Sequence, residues 1–428
     1  MITGFEQRVI SDGAPTTQAG WTTLVEEAAW WPVIAALGPR VRVRDEGVNA
    51  AGKALRSVEI GYPTVSDGIG RPTIVLVAQQ HGGEAAGREA LMQLCREWAT
   101  TADPATIEYL RTFRIVCLPT CNPDGLPIPG VQPSVYHNGN DVNINRDHYA
   151  LTQAETRLIQ RVITAERPIV VVDSHENGTP GGVRAGFNTA TAMSVYEPLR
   201  LHGTALVSEL ISMATSMGVT GYLFSGADGG SPALRQVGGL RGAVSVLFET
   251  DMFSTHPTHE PRSVRVATQV AAFRRVIDYA ARNREALASA SAAARSRGRV
   301  AVAFPTGRVF DWENGVSVRP PPARYGLTTE QRALAAAQFD VFALPDVAVP
   351  GGVEVSIEHE YPLIPLLFDA RSSGEVVAAT VVPRPAPQPG YGLQQQTPNG
   401  LRRAPRMINS GNGWTLADAR VRVGESWQ

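Results

Sequence analysis

Four short, almost wholly apolar segments separated by helical patterns constrain the fold of this 428-residue chain most strongly. In chain order they are Thr73–Ala78, Phe113–Leu118, Ile169–Val172 and Ala243–Phe248. Strands that are apolar on both faces are typical of sheets that helices cover on each side. The sequence therefore predicts an α/β fold with a mixed or mostly parallel central sheet and helices on both faces.

Helical patterns lie between and around these apolar segments. We expect helices over Thr22–Leu37, Ala85–Trp98, Thr152–Ala165, Glu197–Met217 and Arg262–Arg295. Thr152 and Glu155 have the spacing of a capping box at the start of the third helix. Pro32 lies inside the first pattern and predicts a kink or a break there, because proline removes a helical hydrogen bond.

The composition changes near residue 295, which indicates a second structural unit. An alanine- and serine-rich run gives way to a basic stretch, and then to β-type segments punctuated by proline and glycine. We expect an α/β domain over residues 1–295 and a smaller, mostly β region over 296–428. Within the latter, Pro383–Gly400 is rich in proline, glutamine and glycine and is predicted to be irregular or extended.

The overall composition excludes several classes of partner. Hydrophobic residues make up 43% of the chain, charged residues 18%, and the net charge is −1. No basic stripe indicates nucleic acid, and no apolar run of about 18 residues predicts a membrane span. The three cysteines are expected to be buried free thiols.

The ends of the sequence leave two matters open. The N-terminus has no signal-peptide pattern, so we expect either a cytoplasmic protein or an exported one whose signal was already removed. The sequence gives no indication of oligomeric state.

Candidate metal ligands follow two of the predicted strands. His81 and Glu84 come just after the first strand, and His175 comes just after the third. The ends of parallel strands meet at one edge of a sheet, so these side chains are expected to converge. Two imidazoles and a carboxylate are one ligand set of catalytic zinc. Asp173 or Glu176 would accept the other ring N–H of His175.

Two further groups suit hydrolysis at such a site. Glu249 ends the fourth strand, where a carboxylate can act as the general base for a metal-activated water. Asn145 and Arg146 place an amide beside a guanidinium, which can bind a carboxylate in bidentate fashion. Each residue also has a structural interpretation, Glu249 as a strand terminus and Arg146 as an ion-pair partner of Asp147 or Asp141.

Five motifs in this order resemble the M14 zinc carboxypeptidase family, in a divergent bacterial-type branch. They are HxxE at 81–84, NPDG at 122–125, NxNR at 143–146, the strand-end His175 and the strand-end Glu249. The resemblance spans about residues 20–290.

The resemblance implies a role for each matching residue. One zinc ion would be bound by His81, Glu84 and His175, with Glu249 as general base and acid. Asn145 and Arg146 would bind the substrate's C-terminal carboxylate. Tyr222, which precedes Gly229-Gly230-Ser231, is the candidate for the family's mobile tyrosine, although Phe224 offers a competing register.

One departure from the family pattern concerns the arginine that polarises the scissile carbonyl. No arginine lies between Asn122 and Asn145. Alignment backwards from Arg146 places His137 near that position, and an imidazole can donate one hydrogen bond to an oxyanion. Arg184, Arg235 and Arg241 are the other candidates.

The resemblance favours a zinc-dependent metallocarboxypeptidase that cleaves the C-terminal peptide bond of a peptide. One alternative is a zinc amidohydrolase of N-acyl amino acids, similar to aspartoacylase and succinylglutamate desuccinylase. The other is a catalytically impaired, carboxypeptidase-like binding protein, which the missing arginine motivates.

Overall fold

The computed structural model describes residues 21–62, 71–125, 136–177, 184–192, 194–225, 231–251, 262–296, 323–357, 363–369 and 376–382, and eight short strand segments elsewhere after residue 301. Gly229 and Gly230, used above to place Tyr222, lie outside the described residues.

An eight-stranded mixed sheet forms the centre of the molecule. Its strands are β1 (Val41–Val48), β2 (Ala54–Ile60), β3 (Thr73–Ala78), β4 (Arg114–Leu118), β5 (Val170–Asn177), β6 (Arg184–Thr189), β7 (Thr220–Leu223) and β8 (Val244–Asp251). Their spatial order is β1-β2-β4-β3-β5-β8-β6-β7. The four apolar segments form β4, β3, β5 and β8, which are neighbours and mutually parallel. The predicted α/β class with a mixed sheet is confirmed.

Helices pack around this sheet. They are α1 (Leu24–Ala35), α2 (Ala86–Thr100), α3 (Pro104–Thr112), α4 (Ala154–Glu166), α5 (Glu197–Ser216), α6 (Leu234–Leu240), α7 (Arg262–Arg282) and α8 (Arg284–Ser296). Helix α1 is one continuous helix across Pro32, so the predicted break is wrong. Its N-terminus is fixed by a capping box between Thr23 and Glu26. No helix in the described ranges is long and apolar enough to cross a membrane.

Two local predictions about helix ends are wrong. The hydroxyl of Thr152 donates to Asp147 at 2.8 Å instead of capping α4, which begins at Ala154 without a side-chain cap. The predicted long helix over 262–295 is divided at Asn283 into two helices. The backbone N–H of Asn283 still donates to the carbonyl of Tyr279 at 3.1 Å, and its side-chain amide donates to the same carbonyl at 2.9 Å.

A smaller antiparallel sheet lies in the C-terminal region, as predicted. Its strands are β11 (Arg324–Thr328), β12 (Val347–Val349), β13 (Gly352–Ser356) and β14 (Thr380–Val382), in the order β12-β13-β11-β14. Three short helices accompany it: α9 (Thr329–Leu334), α10 (Ala336–Val341) and α11 (Leu363–Phe368). Buried side chains of this region, among them Tyr325 and Phe339, belong to the same core cluster as the main sheet.

Short hairpins complete the described segments. Strands β9 (Val302–Ala303) and β10 (Val309–Phe310) precede the smaller sheet. The others are β15 (Gln394–Thr397) with β16 (Gly400–Arg403), β17 (Met407–Asn409) with β18 (Trp414–Leu416), and β19 (Arg422–Val423) with β20 (Ser426–Trp427). The segment Pro383–Gly400, predicted to be irregular or extended, contains β15, and its residues 383–393 and 398–399 lie outside the described ranges. The division at residues 295/296 stays a prediction.

The three cysteines, Cys95, Cys117 and Cys121, are buried free thiols. This outcome agrees with the expectation from their number and spacing.

Candidate metal centre and active site

The candidate ligands meet at the carboxyl edge of the parallel strands. His81 and Glu84 follow β3, and His175 lies near the end of the adjacent strand β5. Glu249 lies on β8, directly paired with His175 in the register of the two strands. Three neighbouring strands therefore deliver these four side chains to one place, as expected for an open α/β sheet.

His81, Glu84 and His175 form a compact, buried cluster. Each contributes one donor atom, and the three atoms lie within 4.8 Å of one another. Nδ1 of His81 lies 2.8 Å from one carboxylate oxygen of Glu84, and Nδ1 of His175 lies 2.7 Å from the other. The two Nδ1 atoms are 3.2 Å apart. Among the described residues, this is the group of His, Cys, Asp and Glu side chains that could bind a metal ion.

The charges around the cluster favour a cation. Burial would raise the pKa of Glu84, but the two imidazoles outweigh it and lower that pKa to about 2. Burial would lower the pKa of His175, but Asp173 and Glu84 raise it well above its usual range. The protein thus keeps a carboxylate ionised and stabilises positive charge between Glu84 and Asp173.

Each imidazole of the cluster has an acceptor for its second nitrogen. Nε2 of His175 lies 2.6 Å from Asp173, and Nε2 of His81 lies 3.2 Å from the amide oxygen of Asn143. Of the two predicted partners of His175, Asp173 is therefore the one in contact. Glu176 instead accepts from Ala86 N at 2.8 Å and pairs with Arg265. The role of Asn143 could not be recognised from the sequence, because 62 residues separate it from His81.

This donor set fits zinc. Two imidazole nitrogens, each held by an acceptor behind it, and one ionised carboxylate form the ligand set of a catalytic site with an open position. Two histidines and one glutamate also bind the zinc ion of carboxypeptidase A.

Close backbone contacts hold the loops that carry the cluster. A Cβ on Gly82 would lie 2.1 Å from Cα of Gly125, so the HGGE loop and the NPDG turn can meet only as glycines. Asn122 joins the same loops: its oxygen accepts from Gly125 N, and its amide donates to the carbonyls of Gln80 and His137. The NPDG motif therefore supports the loop that carries His81 and Glu84.

Glu249 has the environment of a proton-transfer group. It keeps a small exposed face, yet burial, reinforced by Glu84 and Asp173, raises its pKa to about 8. The charges of His175 and Arg235 act in the opposite direction. A carboxyl group whose pKa lies near neutrality can both accept and donate a proton in the physiological range.

Asn145 and Arg146 differ in their accessibility. Asn145 is buried behind His175: its oxygen accepts from Leu234 N at 2.8 Å, which fixes the amide orientation. Its Nδ2 lies 2.8 Å from Nε2 of His175 and 3.3 Å from Asp173. Nε2 of His175 bonds with the nearer oxygen of Asp173, at 2.6 Å, so we assign Asn145 Nδ2 as a donor to the other oxygen of Asp173. Arg146 is exposed and donates to the carbonyl of Asn145.

The candidates for the missing arginine lie in different places. The His137 ring contacts Asp141 at 2.6 Å, and its side chain is 39% exposed. Arg235 is 1% exposed, and its charge acts on Glu249 and Asp173. Arg184 lies over the ring of Tyr222, and Arg241 contacts Gln160 on α4.

Tyr136 is a neighbour of the cluster that none of the sequence motifs indicated. Its ring packs edge-on against His81 with centroids 5.1 Å apart, and it is 46% exposed. Burial and the charges of Glu84 and Glu249 raise the pKa of its phenol. Tyr222, the predicted mobile tyrosine, lies in β7, where its hydroxyl accepts from Asn177 at 3.2 Å. Its functional role stays a prediction.

His148, two residues beyond Arg146, is fully buried next to this site. Its ring contacts Gln80 at 2.8 Å and Gln160 at 3.0 Å. Burial lowers its pKa to about 4, so the ring is neutral at pH 7.

This buried histidine predicts a loss of stability in mild acid. Its folded pKa is below the unfolded value, so its contribution is complete above about pH 6.5 and declines as the pH falls towards 4. Between pH 7.5 and 5 the metal-free wild type is expected to lose about 2 kcal/mol more unfolding free energy than His148→Gln. Urea titrations of both proteins measure this difference. Equal losses of unfolding free energy would contradict the lowered pKa of His148.

Part of the chain is similar to known proteins. Residues 28–170 match the family described as zinc carboxypeptidase, peptidase M14. Rat carboxypeptidase D is 35% identical over 94 residues, which cover 21% of this chain and 6% of that protein. Mouse carboxypeptidase Z is 30% identical over 123 residues, which cover 26% and 19%. The aligned part thus spans less than a fifth of either relative.

A solved structure shows the same fold. The metallo-carboxypeptidase from Burkholderia cenocepacia superposes with a TM-score of 0.51 and 17% identity, covering 60% of this chain and 69% of that one. The fold and the His-Glu-His cluster define an α/β protein with a candidate metal centre. The resemblance to the M14 zinc carboxypeptidase family is confirmed, and residues 28–170 are the part of the chain that matches its model.

Proposed function

We propose that this protein is a zinc-dependent metallocarboxypeptidase that removes the C-terminal residue of a peptide. The observation that carries the proposal is the pairing of Glu249 with His175 on adjacent strands, beside the buried cluster of His81, Glu84 and His175. A candidate proton-transfer group thus lies next to a candidate site for one zinc ion. The family match over residues 28–170 supports the same class of reaction.

In the proposed mechanism, Glu249 transfers protons. A bound zinc ion would polarise the scissile carbonyl and lower the pKa of a water molecule. Glu249 takes the proton from the attacking water and delivers it to the departing amine. Arg235, whose charge favours the ionised form of Glu249, helps this carboxylate to act as a base at neutral pH.

Arg146 is proposed to select the chain end. Its guanidinium is exposed and follows Asn145, which lies behind His175, so a substrate carboxylate bound there would be close to the metal. Asn145 is proposed to assist by fixing this segment, and His137 and Tyr222 remain candidates for the oxyanion donor and the mobile tyrosine. Tyr136 is a further candidate donor, because it packs against His81.

A substrate panel tests the proposed activity. Zinc-loaded wild type is incubated with unblocked peptides and with N-acyl amino acids, and the products are separated by chromatography. Release of single C-terminal residues from peptides is expected. Cleavage of N-acyl amino acids alone would favour the amidohydrolase, and zinc and peptide binding without turnover would favour the binding protein.

Loss of the proposed carboxylate ligand should weaken substrate binding. Arg146→Ala is expected to raise the KM for a peptide about 10- to 100-fold, since a hydrogen bond to a charged group contributes about 1.5–3 kcal/mol. Zinc content should not change. Steady-state kinetics and metal analysis of the same preparation measure both quantities.

A C-terminally amidated peptide is the matched substrate control for this prediction. Wild type should process it as poorly as Arg146→Ala does, because the charge that Arg146 binds is absent. Arg161→Ala serves as the control variant, since Arg161 is exposed and pairs with Asp340. An equal KM for Arg146→Ala and wild type with the free peptide would contradict this role.

A further inference from the structure

A continuous chain of buried hydrogen bonds leads to Asp173, the carboxylate behind His175. Its members are Arg241, Gln160, His148, Gln80 and Asp173. The successive distances are 3.2 Å from Arg241 Nη1 to Gln160 Oε1, 3.0 Å from Gln160 Nε2 to His148 Nδ1, 2.8 Å from His148 Nε2 to Gln80 Oε1, and 2.6 Å from Gln80 Nε2 to Asp173. Four of the members are 0% exposed and Arg241 is 6% exposed.

All bonds of this chain have the same direction. The amide nitrogen of Gln160 can only donate, so Nδ1 of His148 accepts and its proton lies on Nε2. That proton is donated to Gln80, whose amide nitrogen in turn donates to Asp173. The chain thus begins at a cation and ends at a carboxylate, and aligned bonds of this kind strengthen one another. The low pKa of His148, about 4, agrees with a neutral ring.

Residues of the C-terminal region cover Arg241, at the outer end of this series of hydrogen bonds. Arg241 donates to the hydroxyl of Thr164 at 2.9 Å, and that hydroxyl lies 2.6 Å from the carbonyl of Val341 on α10. The guanidinium of Arg241 also lies over the ring of Phe342, 5.1 Å from its centroid. These contacts shield the guanidinium of Arg241 from water.

We propose that His148 is a positioning residue, which fixes His175 through Gln80 and Asp173 and so strengthens metal binding. This inference rests on the proposed metal centre. His148 does not reach the cluster itself, but Gln80 links it to the carboxylate that orients the ring of His175. Without His148, the amide oxygen of Gln80 loses the donor that fixes its orientation. The amide nitrogen of Gln80 is then no longer held in place as a donor to Asp173.

The test measures affinity for Co²⁺ or Zn²⁺ alone, by competition with a chelator, and the visible absorption of the Co²⁺ form. His148→Leu removes both ring hydrogen bonds and is expected to weaken binding about 10- to 100-fold, the usual cost of losing an outer-shell partner. Its Co²⁺ spectrum should change as well. His148→Gln can donate to Gln80 and accept from Gln160, so it should restore most of the affinity and the wild-type spectrum.

A core variant controls for general destabilisation. Phe113→Leu changes a fully buried residue beside the amino end of β4, and it should leave metal affinity unchanged. Wild-type affinity and spectrum in His148→Leu, or an equal defect in His148→Gln, would overturn the proposal. Loss of affinity in Phe113→Leu equal to that in His148→Leu would overturn it too.

A second measurement needs neither a variant nor a metal. Nitrogen NMR of the imidazoles in the metal-free wild type should show His148 neutral, with its proton on Nε2. A proton on Nδ1 would overturn the directed chain even if His148→Leu failed to fold. A wild type that binds zinc but cleaves no peptide would refute the peptidase proposal and leave the affinity comparison valid.

Discussion

Glu249→Gln is expected to retain zinc but to lose peptide hydrolysis almost completely. The substitution preserves the shape of the side chain on β8 and removes only its ability to accept and donate a proton. A positioned acid or base contributes about 10²- to 10⁴-fold to the rate, so kcat should fall by that factor. Steady-state kinetics on one peptide, with zinc analysis of the same preparation, measure the effect.

Glu89→Gln is the matched control for this prediction. Glu89 is a buried acid whose pKa is likewise raised by burial, but it accepts from Thr22 and does not contact the cluster. Its glutamine variant should keep kcat near the wild-type value. A kcat for Glu249→Gln within about three-fold of wild type, far below the expected factor, would remove Glu249 from the mechanism.

His175→Ala is expected to lose zinc and, with it, activity. The change removes one of three protein ligands and leaves Asp173 and Glu84 facing each other without the imidazole between them. The affinity should fall by more than the roughly 10- to 100-fold typical of outer-shell residues. Equilibrium dialysis against zinc measures the affinity. Zinc at a concentration that saturates the wild-type protein should not restore hydrolysis in the variant.

His202→Ala provides the comparison for His175→Ala. His202 lies on α5 and its ring contacts the hydroxyl of Tyr279 at 2.9 Å, away from the sheet edge that carries the cluster. This variant should bind one zinc ion as wild type does. Full zinc content in His175→Ala would show that the metal is bound elsewhere.

The central part of the fold could be predicted because its strands are apolar on both faces. The segments that form β3, β4, β5 and β8 have little polar character, and only a sheet covered on both sides buries them. Once these strands were assigned, the rule for carboxyl ends brought together His81, Glu84 and His175. The same rule brought Glu249 beside them, and the described structure places all four at that edge.

The local details could not be predicted because they depend on contacts distant in sequence. The hydroxyl of Thr152 had the spacing of a cap, but Asp147 competes for it. The oxygen of Asn145, in the NxNR motif, accepts from Leu234 N, 89 residues away. The partner of His148 is Gln80, 68 residues earlier. Spacing within a motif carries no information about such partners.

Anomalous diffraction at the zinc absorption edge, from crystals of the zinc-loaded full chain, tests the central claim most directly. We expect one strong peak about 2.0–2.2 Å from Nδ1 of His81, a carboxylate oxygen of Glu84 and Nδ1 of His175. Glu249 should face that peak across the open coordination position. A chain that binds zinc in solution but shows no peak between these three residues, or shows its peak at other ligands, would contradict this assignment of the metal site.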